Sequence, residues 1–264
     1  MSEIIEKLNF QNKVVVVAGG AGFLGKEISI ELLKLNATVA VIDVLEKPGD
    51  LDPKIEYFRL SVPSVIEVRT AIMHLESKLG PIVGFINCIA SREMSDEEYF
   101  SDLEDYSIEN WNKVILGNLT TSFVLCREIG KVMLTRRFGS IVNFSSIYSS
   151  DFGPDLRIYH SQDGRSQSLT TPIPYSVSKG GVVALTRHLA CAWADRNVRV
   201  NAISPGGVRR NQSDEFVTNY SKRIPLGRMA NSKEIISLPI FLLTELASYI
   251  TGQNLYIDGG LSSW

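Results

Sequence analysis

Cysteine is scarce in this chain: Cys88, Cys126 and Cys191 are the only three in 264 residues, far apart and without C-x-x-C spacing. That pattern supplies neither a disulfide framework nor a thiolate metal site. Each cysteine reads instead as a small buried hydrophobe in a reducing compartment. Histidine is as sparse, and His74, His160 and His188 are too scattered to hold a metal. An excess of one charge is also missing. The formal net charge of −2 gives no electrostatic handle for nucleic acid or an anionic membrane. No apolar run approaches the roughly 20 residues that span a bilayer. The N-terminal MSEIIEKLNFQNK lacks the apolar centre and small-residue cleavage site of a signal peptide, so a cytoplasmic protein is expected. Repeats, low-complexity tracts and Gly/Ser linkers are absent too. Residues 1–264 therefore read as one domain, with 44% hydrophobic residues to build its core.

What is present is an alternation. Short β-branched runs stand at KVVVVA (13–18), TVAVID (38–43), IVGFIN (82–87), SIVNFSS (140–146), VRVNAIS (198–204) and NLYID (254–258). Helical patterns lie between them near 24–35, 64–79, 109–136 and 176–195. Nearly continuous apolar strands separated by helices predict a parallel sheet covered on both faces, an α/β doubly wound (Rossmann-type) fold in three layers, α/β/α. Residues 147–174 break the rhythm. They are polar and turn-rich, and they read as a functional insertion between the strand ending at Ser146 and the helix beginning near Tyr175.

The first strand runs into Gly19-Gly20-Ala21-Gly22-Phe23-Leu24-Gly25, which opens the first helix. Gly20-x-Gly22-x-x-Gly25 is a G-x-G-x-x-G in its required strand–turn–helix context. Such a turn lets backbone approach a pyrophosphate, and the helix N-terminus adds free N–H groups and positive dipole. Asp43 ends the second strand at roughly the 20-residue distance where a carboxylate meets the adenosine ribose hydroxyls. The same carboxylate repels a 2′-phosphate. Val44 and Leu45 follow with no adjacent cation, so NAD is expected over NADP.

With these residues the chain resembles the short-chain dehydrogenase/reductase family over essentially its whole length. Ile86-Asn87-Cys88-Ile89-Ala90 is similar to the family's N-N-A-G stretch, Asn118 falls at its active-site asparagine, and Ser146 at its serine. Tyr175-x-x-x-Lys179 matches its Y-x-x-x-K, VRVNAISPGG (198–207) its nicotinamide turn, and TGQNLYIDGG (251–260) its last strand. The resemblance implies Asn118, Ser146, Tyr175 and Lys179 as catalytic residues. It implies a cofactor site made of Gly19, Gly20, Gly22, Phe23, Leu24, Gly25, Asp43, Ser61, Val62, Asn87, Ile89, Ala90, Tyr175, Lys179, Pro205, Gly206 and Val208. It also implies pairing of the long helices into a homodimer or homotetramer. Three departures stand out: the middle glycine lies at Gly22 where the compact branch places it at Phe23, Ser61 replaces an aspartate, and the interval from Ser146 to Tyr175 is about twice the usual one. The insertion, with SPGGVRRNQ (204–212), is similar to a subgroup from bacterial surface-sugar and flagellin-modification gene clusters.

These residue types suit proton and hydride chemistry. A tyrosine with its free pKa near 10 is a poor base at neutral pH, and neighbouring positive charge favours its phenolate. Lys179, four residues on, lies on the same helix face and brings an ammonium there. Tyr175 then serves as general base for alcohol oxidation and general acid for reduction, while Ser146 donates to the substrate oxygen. By resemblance, Asn118 holds a water that links Lys179 to solvent, and Lys179 also bonds the nicotinamide ribose. The expected function is hydride transfer between nicotinamide and a secondary alcohol or ketone of a small molecule, a phosphorylated or nucleotide-linked sugar among them. An NAD-retaining epimerase or dehydratase is the alternative enzyme, and a non-catalytic dinucleotide-binding protein the alternative class. Arg157 and Arg165 in the insertion, and Arg209 and Arg210 beyond the Pro-Gly turn, are either solvated or a clamp for an anionic substrate. The insertion itself is expected to be a substrate lid.

Overall fold

The structure, a computed structural model, describes residues 3–60, 64–91, 94–149, 152–155, 158 and 171–264. In chain order the elements are α1 (Glu3–Lys7), β1 (Val14–Ala18), α2 (Phe23–Lys34), β2 (Thr38–Asp43), β3 (Glu56–Arg59), α3 (Val65–Leu79) and β4 (Ile82–Asn87). They continue with α4 (Asp96–Tyr99), α5 (Ile108–Ile115), a π-helical turn (Leu116–Thr120), α6 (Thr121–Arg136) and β5 (Gly139–Phe144). Last come α7 (Ile173–Trp193), β6 (Val198–Pro205), α8 (Asp214–Ser221), α9 (Ser232–Leu243) and β7 (Asn254–Ile257).

The seven strands form one all-parallel sheet in the order β3-β2-β1-β4-β5-β6-β7. Strand side chains alternate between faces, and β1 shows why both must be covered. Val14, Val16 and Ala18 pack with α3, α6 and α7, whereas Val15 and Val17 pack with α2 and α9. The doubly wound, three-layer architecture expected from the sequence is therefore present. A third apolar cluster, Ile147, Tyr220, Ile224, Met229 and Leu261 among its members, lies apart from the two sheet faces and joins α8 to the segment after β5.

The order reverses between β1 and β4, which places β1 at the topological switch point where ligands of such sheets bind. Two details refine the sequence expectations. β5 ends at Phe144, so Ser145 and Ser146 lie just past the strand and not within it. The helix expected over 109–136 is interrupted by the π turn, in which the Thr121 amide and hydroxyl both donate to the Leu116 carbonyl, the hydroxyl at 2.9 Å. No helix among the described residues is long and apolar enough to cross a membrane.

Candidate active site

Two adjoining cavities open at the switch point, one of about 580 Å³ and one of about 420 Å³, and Leu24, Cys88, Ala90 and Phe144 line both. The larger runs along the glycine turn to Asp43. Gly19 adopts φ +73°, and a Cβ on Gly25 would stand 2.2 Å from the Gly19 carbonyl oxygen. Only glycine lets this turn close so tightly, and the closure leaves the N-terminus of α2 facing the cleft. Gly22 is the N-cap of that helix, no side chain caps it, and no acidic residue stands in its first turn. The turn is thus shaped for a phosphate group.

Asp43 is held in place by the backbone. Its Oδ2 accepts from the Ala21 amide at 2.8 Å and its Oδ1 from the Leu45 amide at 3.0 Å. Each oxygen keeps a further lone pair for a ribose hydroxyl. The pairing of β2 with β3 brings Arg59 beside Asp43 in register, which no sequence spacing revealed. Arg59 turns away, however, to an ion pair with Glu46 and to the Val44 carbonyl at 3.1 Å.

The residues expected at the cofactor divide into groups. Gly19, Gly22, Phe23, Leu24, Gly25 and Asp43 line the larger cavity, as do Ile89 and Ala90. Pro205, Gly206 and Val208 line the smaller one with Ser146, Tyr175 and Lys179. Gly20 packs beneath the turn against Val41. Asn87 is only 1% exposed and lies behind the cleft. Its amide donates to Ser122 and Asn143, and its Oδ1 accepts from the Ile89 amide at 3.3 Å, so it shapes the cofactor loop from behind. Ser61 and Val62 lie outside the described residues, as do Arg157, His160, Arg165 and most of the insertion.

The smaller cavity gathers the expected acid–base set. Lys179 is buried, and its Nζ donates to the Ile89 carbonyl at 2.7 Å and the Phe144 carbonyl at 2.9 Å. Burial lowers its pKa from 10.5 to about 8, so the ammonium remains the main form at neutral pH. That ammonium lies 5.9 Å from the centre of the Tyr175 ring. Two glycines after Lys179 explain how α7 reaches this position. A Cβ on Gly180 would meet the Ser149 carbonyl oxygen at 2.6 Å, and one on Gly181 would meet Leu119 at the same distance. Bare backbone at these positions lets α7 dock between the segment after Ser146 and the π turn.

Asn118 sits in the π turn and connects these parts. Its Oδ1 accepts from the Ser91 amide at 2.7 Å, and its Nδ2 donates to Ser178 Oγ at 3.1 Å. Ser178 in turn donates to the Tyr175 carbonyl at 2.7 Å. The side chain of Asn118 is thus engaged with protein groups on both sides. Ser146 Oγ accepts from the Tyr148 amide at 3.2 Å, which leaves its hydroxyl hydrogen available to a ligand oxygen.

Sequence reasoning missed the cavity walls. Tyr99, Phe100, Phe216, Tyr220 and Met229 surround the smaller cavity with Tyr148. The i, i+4 spacing of Phe216 and Tyr220 on α8 was the available signal. The two arginines beyond the Pro-Gly turn part company. Arg209 pairs with Asp214 at 2.8 Å, while Arg210 reaches the larger cavity and lies over the Phe23 ring. Neither lines the smaller cavity.

Known proteins match the chain over nearly all of its length. A family model described as "Enoyl-(Acyl carrier protein) reductase" matches residues 20–170 and 158–262. An NAD-dependent glycerol dehydrogenase of Listeria innocua is 29% identical, covering 96% of this chain and 94% of its own. A 3-oxoacyl-(acyl-carrier-protein) reductase of Aquifex aeolicus is 27% identical, covering 97% and 99%. Among solved structures, a short chain dehydrogenase of Leptospira borgpetersenii with bound NAD+ superposes with a TM-score of 0.86 at 32% identity, covering 99% of this chain and 96% of that one.

Proposed function

Because the chain belongs to the short-chain dehydrogenase/reductase family, and so is an NAD(P)-dependent oxidoreductase, we propose that it uses NAD to interconvert a secondary alcohol and a ketone on a phosphorylated or nucleotide-linked sugar. The convergence of Ser146, Tyr175 and Lys179 on one cavity beside the glycine-turn cleft carries this reading. When bound, the dinucleotide supplies the hydride acceptor or donor. The chain supplies the rest. Tyr175 takes the proton from the alcohol oxygen or returns it to the carbonyl oxygen, and the nearby Lys179 ammonium favours the phenolate. Ser146 donates a hydrogen bond to that same oxygen as charge develops. Asn118, through Ser91 and Ser178, holds the loop and helix that carry these groups. Aromatic rings around the smaller cavity offer flat apolar faces to a sugar ring, which supports that substrate class.

The experiment is direct. Sugar phosphates and nucleotide sugars are incubated with the protein and NAD+, and NADH is followed by absorbance. Net formation of NADH supports a dehydrogenase, whereas turnover without net NADH supports an epimerase or dehydratase that returns its hydride.

Cofactor choice is a separate expectation. Asp43, fixed by two amides with Arg59 turned away, favours a free ribose diol over a 2′-phosphate. NAD(H) binds at least about tenfold tighter than NADP(H), equivalent to ~1.4 kcal/mol, and Asp43→Ala narrows the gap. Calorimetric dissociation constants that are equal or reversed in the wild type would overturn this preference. We also propose a cytoplasmic homodimer or homotetramer. Leu116, Phe123 and Val177 are each more than 40% exposed on the π turn, α6 and α7, and apolar surface there supports pairing between copies. Sedimentation at micromolar concentration tests the assembly.

A further inference from the structure

Arg210 is an exposed cation on the wall of the larger cavity. Its guanidinium lies 5.0 Å from the centre of the Phe23 ring, and Phe23 is the first residue of α2. The positive end of the α2 dipole is here, without an acidic residue in the first turn and without a side-chain cap. A cation beside a helix N-terminus is repelled by it. Asp43, on the wall of the same cavity, bonds the Ala21 and Leu45 amides and forms no ion pair with Arg210, Lys113 is paired with Glu109, and Arg209 pairs with Asp214. Among the described residues no carboxylate pairs with Arg210. Two positive groups thus face one phosphate-shaped turn.

We infer that Arg210 clamps the diphosphate of the dinucleotide against the glycine turn, with Phe23 as the platform that holds the guanidinium in plane. This rests on the proposed dinucleotide function and adds to it a residue from the opposite wall of the cleft. Arg210 follows β6 and the Pro205–Gly206 turn, whereas Phe23 follows β1, so the contact spans the two sides between which a dinucleotide lies. Guanidinium suits the task because its planar fork bonds two phosphate oxygens at once and stacks on an aromatic face. The amides of the α2 N-terminus then bind the diphosphate from the other side. Adjacent arginines thereby do different work: Arg209 fixes the start of α8 through Asp214, and Arg210 is left for the ligand.

The test compares NAD+, ADP-ribose and adenosine by calorimetry on the wild type, Arg210→Ala and Arg210→Lys, with melting temperatures to establish that each is folded. Arg210→Ala is expected to weaken NAD+ and ADP-ribose about 10- to 100-fold and leave adenosine unchanged, since only the first two carry the diphosphate. Arg210→Lys recovers part of the loss, because it keeps the charge without the fork. Wild-type affinity for NAD+ also falls more steeply with salt than that of Arg210→Ala. If both variants bound NAD+ and ADP-ribose as the wild type does, or if adenosine lost as much as ADP-ribose, the assignment would be wrong while the dinucleotide reading stood. A wild type that bound neither NAD+ nor NADP+ would overturn that reading and the clamp with it.

Discussion

Tyr175→Phe lowers turnover by about 10²- to 10⁴-fold and leaves NAD+ affinity close to that of the wild type. The substitution removes a single oxygen, the one that exchanges a proton with the substrate. The ring stays half-buried in the smaller cavity, and the backbone carbonyl that accepts from Ser178 is untouched. Neither the glycine turn nor Asp43 depends on this hydroxyl. The loss therefore falls on the chemical step and not on cofactor binding. Single-turnover rates and calorimetry, measured on the same preparations, separate the two. Retention of near-wild-type single-turnover rates would remove Tyr175 from the acid–base role.

Lys179→Met has a broader effect. It removes the donor that serves the Ile89 and Phe144 carbonyls, which are the ends of the loop and strand meeting at the cavity. Leaving these buried acceptors without their donor costs about 1–3 kcal/mol and loosens the loop that lines the cleft, so Lys179→Met loses dinucleotide affinity as well as turnover. Its pH signature is distinctive. In the folded chain Lys179 has a pKa of about 8, against 10.5 for an exposed lysine. Between those two values the unfolded chain binds the extra proton, so wild-type stability gains with rising pH. The burial penalty is fully present below pH 8, and about 3 kcal/mol of it is relieved as pH approaches 10.5. Lys179→Met lacks this gain. Urea unfolding of both proteins at pH 7.5 and pH 10 measures the difference, and parallel pH dependence would contradict the buried-ammonium account.

Much of the fold was legible because burial on both faces forces a plain pattern. β1, β2, β4, β5 and β6 are apolar runs, and helices stand where the runs stop. β3 escaped because it is a four-residue edge strand, EYFR, with no residue fully buried. α9 escaped for a different reason. Its Asn231/Glu234 capping box is a start signal, but Pro239 argues against a helix interior, and packing on the sheet overrides it. That Ser146, Tyr175 and Lys179 share a cavity was legible because proton transfer restricts the residue types and the helix restricts their spacing. Arg210 was visible as a loop arginine, but its partner was not. Phe23 stands far away in sequence, and only the fold brings the two together.

The π turn at Leu116–Thr120 has a further consequence, for how this chain tolerates changes in length. One residue corresponds to about 100° of helix rotation, so the extra residue of a π turn re-aims everything that follows it. α5 and α6 are in effect two helices phased independently: Val114 is buried on one, and Cys126, Ile129 and Met133 on the other. A one-residue deletion here would restore an uninterrupted α-helix and would look mild in an alignment. It would also swing Asn118 away from Ser91 and Ser178, or drag the apolar stripe of α6 off the sheet. The chain can change side chains along this segment far more readily than it can change their number.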